Sequence, residues 1–166
     1  MPTETQAAKW DKAYNKKIKT FSKSETGIYS QYYLMKMDKS KTPVLVIKRI
    51  ESTELHSGDS YRLIFYKYKK GKAKKIGSYK IAEGTDGDFN TVYKQGKKLV
   101  FTAAIGDIGK VFKFSMKNGK IVRTTYSEIW TWDTVNYYKG KKKITKKLYK
   151  KAVGKLKKTI EFNDNW

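Results

Sequence analysis

The side chains that usually carry enzyme chemistry are scarce in this chain. It has one histidine, His56, and no cysteine, which excludes thiolate nucleophiles, thiolate metal sites and multi-histidine metal sites. His56 lies in the turn-like segment ELHSGD, where a solvated loop histidine is more common than a general base. The motifs GxSxG, GxxxxGKS/T, GxGxxG and HExxH do not occur. A catalytic pair of carboxylates of the glycosidase type remains an alternative, but nothing in the sequence selects one pair among the fifteen acidic residues. We therefore expect a protein that is not an enzyme.

The best candidate for a metal site is the loop Asp86-Gly87-Asp88-Phe89-Asn90. Oxygen ligands at alternating positions around a flexible glycine suit a hard cation such as Ca²⁺. The loop is short of ligands, because the next acid along the chain is Asp107. With Glu83-Gly84-Thr85 before it, the segment is more typical of an ordinary Asp-Gly connection. We expect neither a metal nor another cofactor.

Lysine dominates the charge. The chain has 38 lysines and arginines against fifteen acids, a formal net charge of +23, and only Arg49, Arg62 and Arg123 are arginine. Sequence-specific nucleic-acid readout is disfavoured, because arginine makes the bidentate contacts that read base edges and lysine acts as a mobile point charge. Diffuse, salt-sensitive attraction to a polyanion remains. The alternative is that the lysines reflect an A+T-rich coding bias and form a solvated surface.

Two lysine clusters are the candidate binding residues. The first lies at an expected hairpin tip and comprises Lys69, Lys70, Lys72, Lys74 and Lys75. The second lies in a C-terminal segment with eleven lysines and no acid between positions 139 and 158, and comprises Lys141, Lys142, Lys143, Lys146, Lys147, Lys150 and Lys151. The first cluster belongs to a predicted strand pair, and the second to a predicted turn and the helix that follows it.

Helical periodicity occurs near both ends of the chain. An apolar stripe with spacings of four, four and three predicts a core-facing N-terminal helix, and its residues are Trp10, Tyr14, Ile18 and Phe21. A second stripe with spacings of four follows a plausible N-cap, Thr145, and comprises Leu148, Ala152, Leu156 and Ile160. We expect the second, basic helix to pack this narrow stripe on a sheet.

The middle of the chain has the pattern of short strands separated by turns. The candidate strands are Ile28 to Met37, Val44 to Ile50, Tyr61 to Tyr68, Lys75 to Ala82, Asn90 to Tyr93, Leu99 to Ile105, Lys110 to Met116 and Ile121 to Ile129. Asn118-Gly119 is the strongest hairpin signal. Further reversals are expected at Gly71, at Gly96, and at Gly106 with Gly109. Short connections give antiparallel neighbours.

These patterns predict an α+β fold in one domain, residues 1–166. Its antiparallel meander has about eight strands, with the N-terminal helix and the basic C-terminal helix packed on the sheet. The strand from Tyr61 to Tyr68 is apolar on both faces, which predicts a central position. In the strand from Lys110 to Met116, we expect Val111, Lys113 and Ser115 to form a wet face.

One segment resembles a known pattern. Residues 33–47, YLMKMDKSKTPVLVI, resemble the YLLDIDGDGxPELII segment of uncharacterised secreted or lipoprotein-type proteins of clostridial and related Gram-positive bacteria. The aspartates of that family look like a calcium-type loop, of which only Asp38 and Ser40 keep oxygens here. Residues 137–149 are similar to the closing YYxNGKxISxxEY segment of the same proteins. The resemblance implies export and a surface location.

The chain shows no export signal and no apolar run of the roughly 20 residues needed to span a bilayer. We therefore expect either a cytosolic protein or a mature form without its signal peptide, and the resemblance favours an extracellular or cell-surface location.

Two functions follow. The first is a non-enzymatic secreted or cell-surface domain that binds an anionic polysaccharide, teichoic acid or acidic protein through the two lysine clusters. The alternative is a non-specific nucleic-acid-binding protein, with stacking platforms among Tyr66, Tyr68, Tyr137, Tyr138 and Trp132. An enzyme ranks third: an aromatic cluster around Trp130 and Trp132 would be its carbohydrate platform, but aromatics that alternate along a strand more often belong to a core.

Overall fold

The computed structural model describes residues 4–22, 28–52, 59–82 and 91–165. These ranges contain two helices, α1 (Glu4–Ser22) and α2 (Lys146–Val153), and twelve strands. The strands are β1 (Ile28–Met35), β2 (Val44–Ser52), β3 (Asp59–Lys69), β4 (Lys72–Ala82), β5 (Thr91–Gln95), β6 (Lys98–Ile105), β7 (Ile108–Lys117), β8 (Lys120–Trp130), β9 (Val135–Lys139), β10 (Lys142–Ile144), β11 (Lys158–Thr159) and β12 (Asn163–Asn165). The predicted α+β class is confirmed.

The strands form two antiparallel sheets that pack face to face. Sheet A has the order β12-β1-β2-β3-β4, and sheet B has the order β10-β9-β8-β7-β6-β5-β11. Buried residues of both sheets share one core cluster, in which the rings of Phe65 and Phe114 lie 5.3 Å apart between centroids. The expectation of one meander of about eight strands is therefore wrong. Strands such as β2 and β3 are apolar on both faces, and a second sheet covers the face that a helix leaves open.

Helix α1 covers the outer face of sheet A. Tyr14 and Ile18 are buried against outward-facing residues of β2 and β3, as the aromatic stripe predicts. The Tyr14 hydroxyl donates to the carbonyl oxygen of Pro43 at 2.6 Å and accepts from the backbone N–H of Tyr68 at 2.8 Å. The helix is thus fixed to the start of β2 and to the end of β3.

Helix α2 covers the outer face of sheet B. Thr145 is its N-cap, as predicted, and accepts a hydrogen bond from the backbone N–H of Leu148. The predicted apolar stripe is partly confirmed, because Ala152 and Leu156 pack against the core cluster of sheet B and Leu148 does not. Tyr149, Ala152 and Val153 contact the sheet, while Leu148 is 54% exposed. Leu156 and Ile160 lie beyond the helix, because Gly154 with its φ of 67° ends it.

The cover provided by α2 also changes the expected wet face of β7. Val111 and Lys113 are buried, and Ser115 is half-buried. The predicted solvent-exposed face is therefore wrong for Val111 and Lys113. The central position predicted for β3 is confirmed, because it lies between β2 and β4. The alternation of residues in the sequence correctly indicates which side chains of β7 share a face. It does not indicate that α2, which lies far along the chain, covers that face.

The predicted strands and turns agree well with the structure. All eight predicted strands occur, as β1 to β8, with ends that differ by at most three residues. Asn118-Gly119 and Lys70-Gly71 have positive φ at both residues, as a type I′ turn requires. Gly109 lies inside β7 and does not mark a reversal. His56 and the loop from Asp86 to Asn90 lie outside the described residues.

Candidate functional site

The turns of sheet B divide between two ends of the sheet. Alternate turns of an antiparallel meander lie at the same end, so the β5–β6, β7–β8 and β9–β10 turns share one end, here called the lysine end. The β6–β7 and β8–β9 turns share the other, here called the tryptophan end. Seven exposed lysines occupy or flank the first set of turns: Lys97, Lys98, Lys117, Lys120, Lys139, Lys141 and Lys142.

The first predicted lysine cluster lies at the same end of the sandwich. Gly77 packs against Ile121, and Arg123 donates to the backbone carbonyl oxygen of Lys80 at 3.1 Å. Strands β4 and β8 therefore run side by side in the same direction, so the turns that precede them project together. The β3–β4 hairpin carries the exposed residues Lys69, Lys70, Lys72, Lys74 and Lys75.

Strand register places lysines directly opposite one another near these turns. The flanking pairs are Lys69 with Lys72, Lys117 with Lys120, and Lys139 with Lys142. Like charges in directly opposed positions destabilise a strand pair. Among the described residues, no carboxylate lies within 4.0 Å of these six ammonium groups. Their mutual repulsion is therefore not offset by an ion pair within the described residues.

The second predicted cluster surrounds α2. Four of its lysines, Lys146, Lys147, Lys150 and Lys151, are exposed, and at 3.6 residues per turn they fall within an arc of about 140°. The arc lies opposite the buried Tyr149. Lys141, Lys142 and Lys143 are exposed on the adjoining β9–β10 hairpin. In the described part of sheet B, the register places one carboxylate on the outer strand face, the half-buried Glu128.

Five exposed lysines of the lysine end were not among the predicted binding residues. They are Lys97, Lys98, Lys117, Lys120 and Lys139. Four of them are scattered along the sequence away from the lysine-rich C-terminal segment, and Lys139 is the first residue of that segment. The strong Asn118-Gly119 turn signal could have located two of them, because Lys117 and Lys120 flank it directly.

One lysine of sheet B has a structural role. Lys113 is 9% exposed, and its ammonium group donates to Gln95 Oε1 at 2.7 Å and to the carbonyl oxygen of Ala152 at 2.6 Å. Burial lowers the pKa of Lys113, and the nearby charge of Lys98 lowers it further. The Gln95 amide donates to the carbonyl oxygen of Val153 at 3.0 Å. Lys113 therefore fixes α2 and is not available to a ligand.

A second lysine fills the loop between β1 and β2. The Lys67 ammonium group donates to Asp38 Oδ1 at 3.2 Å, to Ser40 Oγ, and to the carbonyl oxygen of Thr42 at 2.6 Å. Partial burial acts to raise the pKa of Asp38, but hydrogen bonds from Ser40 and Lys67 outweigh it, and the pKa falls below 3.8. Three alternating oxygens thus surround an ammonium group in the segment that resembles a calcium-type loop. Elsewhere too, no metal-binding group of three His, Cys, Asp or Glu occurs among the described residues.

Exposed aromatic side chains gather at the tryptophan end. Trp132 is 101% exposed and Trp130 is 56% exposed. The other proposed stacking platforms are less accessible. Tyr66 is buried beneath α1, so its assignment as a platform is wrong. Tyr137 packs on Tyr149 with 4.9 Å between ring centroids.

Comparison with known proteins gives no family for this chain, since no protein-family model matches it and no curated protein matches its sequence. Its function has to be inferred from charge and geometry.

None of the helices in the described ranges has the length and apolar character needed to cross a bilayer.

Proposed function

We propose that the protein is a non-enzymatic domain of the cell surface or the extracellular space that binds an anionic polymer through exposed lysines. The candidate partners are an anionic polysaccharide, a teichoic acid or an acidic protein. The binding surface comprises the turns of the lysine end and the exposed arc of α2. The proposed location rests on the sequence resemblance alone.

The observation that carries the proposal is the set of directly opposed lysine pairs at three hairpin ends. Each pair lowers the stability of its hairpin, and the described residues hold no carboxylate that offsets this cost. A polyanion neutralises several such pairs at once and releases its own counter-ions. The free energy that repulsion within the lysine pairs costs in folding is therefore recovered when a polyanion binds.

The alternative, a non-specific nucleic-acid-binding protein, has weaker support. Single-stranded nucleic acid is held by basic grooves that follow the phosphates, together with aromatic rings on which the bases stack. Here the fully exposed ring, Trp132, lies at the opposite end of sheet B from the lysine turns. Tyr68 and Tyr137 are partly covered by packing.

Retention on heparin and on a neutral resin across a salt gradient tests the proposal. The variant Lys139→Gln/Lys142→Gln removes one opposed pair. The matched control is Lys12→Gln/Lys16→Gln, which removes the same charge from exposed positions of α1. We expect salt-dependent retention on heparin alone, and a slope of log affinity against log salt that falls by roughly 1 to 2 in the first variant.

The control variant should change the slope much less. An equal change in both variants would mean that total charge acts without a defined surface. Absent or salt-independent retention of the unmodified protein would remove the proposal.

A further inference from the structure

The turn that carries Trp132 is held rigidly on both sides. The backbone N–H of Trp130 donates to the carbonyl oxygen of Asp107 at 2.9 Å, and that of Thr131 donates to Thr134 at 2.8 Å. The Thr131 hydroxyl also donates to Asp133 Oδ1 at 3.1 Å. The indole of Trp132 nevertheless contacts almost nothing, since it is 101% exposed. With the exposed pair Trp130 and Val135 beside it in sequence, Trp132 gives this end of sheet B a group of large exposed apolar side chains, a feature of interaction sites.

A groove lies next to this turn. Trp130 is directly opposite Val135, and Val135 is 42% exposed. The groove has a volume of about 390 Å³ and is lined by Val135, Asn136, Tyr137, Lys143, Ile144 and Lys146. Its lining combines apolar side chains with two ammonium groups. The lysine arc of α2 begins at Lys146, so the groove leads from the tryptophans to the proposed polyanion surface.

We propose that the Trp132 turn and this groove bind an acidic polysaccharide whose sugar rings carry carboxylates. The indole ring packs on the apolar C–H face of one sugar, and Lys143 and Lys146 pair with a carboxylate of a neighbouring sugar. Asn136 supplies amide hydrogen-bonding groups for hydroxyls. The inference rests on the proposed function for the charge of the polymer, and it adds the chemical class.

The charges of the tryptophan end favour this partner over a lipid surface. Asp107 and Asp133 are exposed in the two turns beside the tryptophans. An anionic bilayer sets many negative headgroups against both carboxylates, whereas a polymer with widely spaced charges can place uncharged sugars there, whose hydroxyls donate hydrogen bonds to them. Two ammonium groups beside an aromatic ring also suit a polymer with widely spaced charges better than a dense polyphosphate.

The test uses short hyaluronan oligosaccharides, which carry one carboxylate per disaccharide, with neutral dextran oligosaccharides and polyphosphate for comparison. Calorimetry gives the affinities, and tryptophan fluorescence reports whether the indole is covered. The variants are Trp132→Ala and Lys143→Gln, and Val122→Ala is the control, because it truncates an exposed apolar side chain near the lysine end. Thermal unfolding verifies that all three variants fold.

We expect Trp132→Ala to bind hyaluronan about tenfold or more weakly and to bind polyphosphate as the unmodified protein does. Lys143→Gln should weaken hyaluronan binding, and Val122→Ala should not. Equal hyaluronan affinity in Trp132→Ala would overturn this inference while salt-dependent polyphosphate binding upholds the proposed function. If the unmodified protein binds neither hyaluronan nor polyphosphate, this inference and the proposed function are both overturned. Equally tight dextran binding, or Trp132-dependent binding to phosphatidylserine vesicles, would also overturn the inference.

Discussion

The ammonium group of Lys113 on β7 lies 2.6 Å from the carbonyl oxygen of Ala152 in the last turn of α2. Carbonyl groups at a helix C-terminus lack partners within the helix, and a cation there also interacts favourably with the helix dipole. The link joins sheet B to the helix that displays the exposed lysine arc. A buried lysine thus positions four solvent-facing ones.

Lys113→Met should lower the free energy of unfolding by about 1–3 kcal/mol, because Gln95 and Ala152 lose a charged hydrogen-bond donor while the side-chain volume changes little. Urea unfolding measures the loss. Lys147→Met, at an exposed position of α2, is the control and should change stability little. An unchanged urea midpoint in Lys113→Met would contradict the role of Lys113 in holding α2.

Gly77→Ala should separate the two sheets locally. A Cβ atom at Gly77 would lie 2.9 Å from Ile121 Cβ, which is inside van der Waals contact, and both residues belong to packed strands. We expect a loss of about 1–3 kcal/mol in the free energy of unfolding. The matched control is Gly109→Ala, whose Cβ would have its nearest neighbour at 3.7 Å. Equal thermal unfolding of the two variants would show that the sheet interface accommodates the methyl group.

Stability should fall in alkaline solution. Burial raises the pKa of Tyr14 and of Tyr149 from 10.0 to about 12. The folded protein therefore holds these protons after the unfolded chain has released them. Their stabilising contribution is complete below pH 10 and is lost as the pH rises from 10 through about 12. Ultraviolet absorbance of phenolate should show late titration of tyrosines, and Tyr14→Phe should remove one late step.

Acid should weaken the loop between β1 and β2. The pKa of Asp38 lies below 3.8 in the folded protein, so its contribution is complete above that value and disappears as the pH falls through the folded-state pKa. Asp38→Asn should cost about 1 kcal/mol at neutral pH, because the pair with Lys67 is partly exposed.

The difference between Asp38→Asn and the unmodified protein should shrink as the pH drops below 3.8, when measured by thermal unfolding. Asp107→Asn, at an exposed turn position, serves as the control and should follow the unmodified protein. A difference that stays constant with pH would mean that Asp38 acts through its shape and not through its charge.

The local parts of the fold could be predicted from the sequence. Strands β1 to β8 and the Asn118-Gly119 turn depend on neighbouring residues, and the stripe of α1 depends on a simple period. The alternation of apolar and polar residues does not encode the division into two sheets, in which β4 is the edge strand of sheet A and β5 belongs to sheet B. Strands β9 to β12 are short and rich in polar residues, so they lack the apolar pattern of the others.

The candidate site shows the same limit. Density along the chain marked the lysines of α2 and of the β3–β4 hairpin. The opposed pair of Lys117 and Lys120 becomes visible only with the register of β7 and β8. Lys113 is buried because α2 covers it, and its partner in that helix, Ala152, is 39 residues away in the sequence.

The β1–β2 loop has a further consequence through Lys67. Its ammonium group is covalently part of the polypeptide, so the shape of this loop is independent of ion supply. A chelator should leave the loop intact, and depletion of calcium in the surroundings should not loosen it. The β1–β2 loop should therefore have the same shape at high and at low calcium concentration.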